Sequence, residues 1–332
     1  MPRYRFGLFG SIASLLGYIN LNILLAVKMI FGGYLWIWST DNFLGNNAEA
    51  NRLVAVCKRF NIKNVFLDFN PYSYVVEKQN LRGLLGKLNN NGIRPWGLAG
   101  SRNYMSDADG PEEILTAVDN LIKYNDQVKP NERYYGFQTD IEIHDNGKYF
   151  SFHNDLSDKE LSKYGGGVWQ STEYLDRRAL TADWLNTHAL LKSKLYKKGL
   201  KLGAAIPFWF DDYNGAPVVT RFKKKTAGLF DHIARIADEI HIMSYNTNPA
   251  SVVQRVANKM KYLSLYTKVK ACASVETNSD VGGPGVSYGD NPKKNNLKSL
   301  LFDINVLEQT LKKYAAFSGI CIEDWDGFQA FI

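Results

Sequence analysis

Cysteine is nearly absent. Cys57, Cys272 and Cys321 are the three in 332 residues, each in an apolar stretch, and none belongs to a C-x-x-C pair. An odd, dispersed set argues against a disulfide framework or a zinc-finger-type site, and reads as small buried residues. Also missing is a basic stripe interleaved with stacking aromatics. The formal charge is +7, but its local run, Lys223 to Lys225, reads as a solvated helix end, so no nucleic-acid partner is expected. No glycine-rich phosphate loop follows the first apolar run, which removes support for a nucleotide-binding fold. Histidine is scarce, with five in all. His241 is bracketed by apolar Ile240 and Ile242. His144 lies at i+4 from Asp140 and i+2 from Glu142, a spread of about 13 Å along one strand, so no metal site is expected. A Ser or Cys nucleophile with a His base is not expected, nor is a cofactor. No Asn-x-Ser/Thr sequon occurs, so glycosylation says nothing about compartment.

What is present is a core. At 45% hydrophobic and 13% aromatic content, the chain can bury one large interior. Its N-terminus differs in kind. After Arg3 and Arg5, residues Phe6 to Val27 carry no charge, a length that spans a bilayer as a helix, although Asn20 and Asn22 interrupt it. Residues 1–32 are therefore expected to be a signal peptide or membrane anchor, giving a secreted or membrane-anchored protein on the extracytoplasmic side. A cytosolic helix packed on the remainder is the alternative.

From Gly33 the chain alternates. Apolar, β-prone runs fall at 34–39, 64–69, 93–99, 134–143, 200–210, 238–245, 268–276 and 317–324. Between them, stretches such as "GPEEILTAVDNLIKY" and "LKSLLFDINVLEQTLKKYA" carry apolar residues at three- and four-residue spacing. Eight strand–helix repeats imply parallel strands joined by right-handed crossovers, hence an α/β protein with one (β/α)8 TIM barrel over 33–332. A doubly wound open sheet is the alternative, and the eighth helix is expected to be short.

In such barrels the reacting groups stand at the C-terminal ends of the strands. There the sequence places Trp38 and Asp41, Asp68, then Asp140 and Glu142, then Trp209, Asp211 and Asp212. Tyr245 and Asn246 follow, then Glu276, and finally Glu323, Asp324, Trp325 and Asp326. Any one strand-end Asp is most often a helix cap or turn residue. Many carboxylates among tryptophans at one rim suit a carbohydrate, whose C–H faces stack on aromatic rings and whose hydroxyls donate to acids. Glycosidic cleavage needs a proton donor of raised pKa. In "YYGFQTDIEIHD", Asp140 and Glu142 are two apart and share a strand face, so both cannot ionise easily; Glu142 is expected to keep its proton and act as the acid.

The segment "GFQTDIE" resembles the D-x-x-D-x-D-x-E motif on the fourth strand of glycoside hydrolase family 18, the chitinases and their relatives. Asp140 and Glu142 match its last two acids, and Gln138 replaces the middle Asp. "IMSYN" resembles that family's sixth-strand M-x-Y-D/N element, which implies that Tyr245 binds near an acetamido group, and Trp325 falls where the family places a floor tryptophan. The stretches "GFQTDIEI", "IPFWFD", "DEIHIMSYNT" and "VETN" are also similar, in order, to those of poorly characterised bacterial barrel proteins of glycosidase-like architecture. Two departures weaken an N-acetyl-assisted mechanism: Gln138 in the motif, and "GLAGSRN" at the third strand end. Glu276 stands where retaining barrel glycosidases of the largest clan keep their nucleophile, but Ile141 replaces the Asn those enzymes carry before the acid. Three readings stay open: a Glu142/Asp140 site, a Glu142/Glu276 pair, and a non-catalytic carbohydrate-binding barrel. The catalytic candidates are Glu142, Asp140, Glu276 and Tyr245, and the substrate-binding candidates are Trp38, Asp68, Trp209, Asp211, Asn246 and Trp325.

Overall fold

The computed structural model describes residues 32–101, 104–105, 109–143, 177–213 and 216–332. The hydrophobic segment expected over 1–32, apart from Gly32, lies outside the described residues, as does His144. Among the described residues no helix is long and apolar enough to cross a membrane.

Eight strands form a closed parallel barrel: β1 Gly33–Ile37, β2 Ile62–Asp68, β3 Arg94–Gly100, β4 Gly136–Asp140, β5 Lys201–Pro207, β6 Glu239–Met243, β7 Lys270–Glu276 and β8 Phe317–Glu323. They pair in chain order, and β1 closes the ring on β8. The helices are α1 Asn47–Arg59, α2 Lys78–Asn90, α3 Gly110–Asp126, α4 Arg177–Tyr196, α5 Leu229–Ile233, α6 Pro249–Tyr266, α7 Leu297–Leu311 and a short α8 Trp325–Gln329. The barrel anticipated from the spacing of apolar runs is therefore the fold found.

The strands hold because each is buried on both faces, as parallel strands under helices must be. Successive side chains alternate, and the alternation sorts the apolar residues into two sets. Tyr34, Trp36, Phe66, Trp96, Leu98 and Ala205 pack with Cys272 and Cys321 inside the barrel. Leu35, Ile37, Val65, Leu67 and Ile206 face outward into the layer shared with the helices. Asparagines start three of those helices. Asn46 accepts from the backbone N–H groups of Ala48 and Glu49, Asn248 from Ala250, and Asn296 from Ser299.

One local expectation fails. Lys223 to Lys225 do not end a helix; they turn an antiparallel ribbon formed by Val219–Phe222 and Lys225–Gly228. Lys223 and Lys224 adopt φ values of 48° and 66°, a conformation usually announced by Gly or Asn, so the sequence carries no turn signal there.

Candidate active site

The carboxylates at the C-terminal end of the barrel do not stand in a row around its rim. Three of them, Asp140, Glu276 and Glu323, converge. Inward-facing residues on adjacent strands share a level, and Glu276 of β7 is in register with Glu323 of β8. Glu323 is held on both oxygens: Trp38 Nε1 donates to Oε1 at 2.8 Å and the Tyr245 hydroxyl donates to Oε2 at 3.2 Å. Burial pushes Glu323 well above the usual carboxylate range, and the charges of Asp140 and Glu276 push the same way against the Trp38 hydrogen bond. Tyr245 is raised too, by burial first and then by Glu323, Asp140 and Glu276. Arg255 of α6 fixes the backbone at this point, donating to the carbonyls of Ser244 and Tyr245 while its guanidinium lies 4.2 Å from the Phe208 ring centre.

Trp38 forms the floor. A methyl group built on Gly100 of β3 would come within 2.8 Å of the Trp38 ring and 2.7 Å of Asp140 Cβ. The indole therefore reaches from β1 across to β3 and β4, and only a residue without a side chain leaves it that room. The sequence assigned the floor to Trp325, and the structure corrects this. Trp325 opens α8 and is 3% exposed behind the barrel, edge-on to Phe43 at 5.6 Å and under the Arg52 guanidinium.

Strand β4 ends at Asp140, earlier than expected, and Ile143 N–H donates to Ile141 O at 3.0 Å as the chain turns away. Glu142 thus lies beyond the ladder, not on a strand face beside Asp140. The two charges still interact: burial pushes Asp140 up to about 8, and Glu142 adds to the shift. Asp140 Oδ1 is sealed from solvent and lacks a hydrogen-bond partner, so Asp140 holds its proton well above the usual carboxylate range. Gln138, the substituted motif position, is fully buried in the barrel, where its side-chain amide donates to Thr139 O.

Glu276 is clamped by its own loop. Its Oε1 accepts from Thr277 N at 2.8 Å, Asn278 N at 2.8 Å and Asn278 Nδ2 at 3.1 Å. Burial nevertheless outweighs these donors and raises the group to about 7. Residues 280–296 cover this loop and include a G-x-S-x-G spacing at Gly285–Gly289. It is not a nucleophile elbow: Ser287 is fully buried, and its hydroxyl donates to Asn278 O. Two glycines allow the close approach. A Cβ on Gly289 would fall 2.5 Å from Asn278 C, and one on Gly327 of α8 would fall 2.5 Å from Asn278 N. Gly327→Ala is expected to destabilise the protein by about 1–3 kcal/mol, because backbone must move, and this would be read as a lower thermal midpoint. An unchanged midpoint would mean that the loop yields freely.

The remaining candidates serve other ends. Asp68 of β2 accepts from Asn70 Nδ2 at 2.5 Å, is raised mainly by burial, and lines a cavity of about 560 Å³ with Tyr74, Tyr104 and Gly100, next to the Trp38 floor. Asp211 pairs at 2.5 Å with Lys259, an α6 lysine only 3% exposed, so its carboxylate neutralises a buried charge. Asn246 is a turn residue that accepts from Asn248 N. Trp209, half-buried after β5, packs on Phe210 with ring centres 5.4 Å apart. Sequence reasoning noted Glu323 at its strand end without selecting it. Its parity with Cys321, two residues before it on β8, was the available signal that it points inward.

No family model matches the sequence, and no curated relative does. Solved structures do match. The β-mannanase from the blue mussel Mytilus edulis is 11% identical with a TM-score of 0.50, covering 91% of this chain and 94% of its own. A GH18 chitinase from Pseudoalteromonas aurantia is 12% identical (TM-score 0.46; 89% and 94% covered). The xylanase-A-amylase inhibitor protein XAIP-III is 13% identical (TM-score 0.47; 90% and 96% covered). At such identities the likeness is one of fold, and the architecture this chain shares with the mannanase is the (β/α)8 barrel.

Proposed function

We propose that the barrel hydrolyses glycosidic bonds in a poly- or oligosaccharide, with Glu142 as the proton donor. The observation that carries this reading is the Asp140–Glu142 pair: two half-buried carboxyls at the barrel mouth, with Asp140 pushed up to about 8 by burial and by the charge of Glu142. A sugar ring stacked over Trp38 would lie against Asp140 and within reach of the Tyr245–Glu323 pair. Asp140 passes its proton to Glu142 as Glu142 delivers one to the leaving oxygen, and the neighbouring carboxyls steady the positive charge that develops at the anomeric carbon. An extracytoplasmic location through residues 1–32 belongs to the same proposal, since polymeric glycans are found there.

A second reading, a non-catalytic carbohydrate-binding barrel, draws on the neutral state of the same groups. Protonated carboxyls flanking an indole can hold sugar hydroxyls without cleaving anything. One protein sample distinguishes the two readings when incubated with chitin, mannan and β-glucan and assayed both for retention and for new reducing ends. Hydrolysis is expected, and it should fall as pH rises through about 8, where the Asp140–Glu142 pair loses its proton. Retention without reducing ends at any pH between 4 and 8 would assign the binding role instead.

A further inference from the structure

Below the carboxylates, at mid-barrel, three side chains with no part in the site above meet from three strands: His241 of β6, Cys272 of β7 and Cys321 of β8. One ligating atom from each lies within 4.8 Å of the others, and all three residues are buried. His241 Nδ1 is 2.8 Å from Cys272 Sγ, and Trp36 Nε1 donates to Cys321 Sγ at 2.8 Å. The imidazole is boxed edge-on by Phe66 at 4.7 Å, Tyr34 at 5.0 Å and Trp36 at 6.3 Å, which sets its rotation and leaves Nε2 without a hydrogen-bond partner.

We propose that His241, Cys272 and Cys321 form a binding site for a soft monovalent metal ion of the copper(I) class. Sulfur donors select soft ions, and the group offers two sulfurs and one imidazole nitrogen with no carboxylate among them. Zinc takes four ligands in a tetrahedron in structural sites, and the surroundings here are aromatic rings. A three-coordinate ion suits three donors. Its charge also suits the place: binding displaces one thiol proton to solvent, and the resulting thiolate neutralises the single positive charge inside an apolar barrel. The Trp36 N–H aimed at Cys321 Sγ is the outer hydrogen bond that steadies a thiolate ligand. Ligand atoms around such an ion stand about 3.7 Å apart, given metal–sulfur and metal–nitrogen lengths of about 2.3 and 2.0 Å, so the imidazole must withdraw by about 1 Å from Cys272 on binding.

The test offers copper(I) to the reduced full-length chain as its bicinchoninate complex. Wild type and Cys57→Ala, whose cysteine is buried on α1 outside the barrel, are expected to take one equivalent. Cys272→Ala and Cys321→Ala should bind at least tenfold more weakly, and X-ray absorption of the loaded protein should show two sulfurs and one nitrogen. Should a cysteine variant fail to fold, His241→Phe carries the same expectation. No uptake, uptake unchanged in the variants, preferential retention of four-coordinate zinc(II), or a Cys272–Cys321 disulfide in the native protein would each overturn the proposal.

Discussion

Glu142→Gln is expected to lower glycoside turnover by about 10²- to 10⁴-fold while leaving polysaccharide binding and the thermal midpoint close to wild type. The amide keeps the size of the acid but cannot transfer a proton. It also removes the negative charge that helps hold Asp140 protonated, so Asp140 should titrate lower in the variant. Activity within twofold of wild type would transfer the acid role away from the fourth strand, and the clamped Glu276, raised to about 7, would then be the next carboxyl to replace.

Raising the pH from 6.5 to 8.5 is expected to lower the thermal midpoint by about 5 °C or more. Asp140 titrates near 8 and Glu276 near 7 in the folded protein, and Glu323 is raised as well, against an unfolded carboxylate value of about 4. The folded chain therefore keeps protons that the unfolded chain has released. Stability is fully present below the unfolded value and is lost as pH climbs through the folded values. Two histidines act in the opposite sense at lower pH. His188 is lowered to about 4 and His232 is also lowered, both chiefly by burial, so below about 6.5 the unfolded chain gains protons they refuse. Their opposition ends above that pH, where the raised carboxyls set the slope and the buried thiols of Cys57 and Cys321 add to it in the same sense. Asp140→Asn should flatten it, and a midpoint that is level or rising from 6.5 to 8.5 would mean the mouth carboxyls are ionised in the fold.

The barrel was legible because its causes are local and repeated. Runs such as "NVFLDF" and "IRPWGLA" have the β-prone, doubly apolar character of strands buried on both faces, and the stretches between them show helical spacing behind asparagine caps. The site was legible only as far as alternation persists. Trp38 continues the inward parity of Tyr34 and Trp36 and becomes the floor. Trp325 has the parity of Glu323, but Asp324 caps α8 by accepting from Gly327 N, so the strand rule has already ended there. Glu142 escaped for the same reason, since the ladder stops at Asp140. The Lys223–Lys224 turn has no residue that announces it. The His–Cys–Cys group was hidden by distance, because His241 and Cys272 are 31 residues apart and meet only through the register of β6 with β7.

The junction of β1 with β8 bears on when this molecule can exist at all. Trp36 meets Cys321, and Trp38 meets Glu323, across 285 residues of chain. During synthesis β1 must wait, one edge unpaired, until β8 has been made. Contacts this remote close slowly and leave apolar strand edges exposed in the interval. The indole floor and the carboxyl it steadies therefore come together at ring closure, and a nascent or truncated chain that stops short of Phe317 holds Trp38 and Tyr245 without the Glu323 carboxyl that joins them.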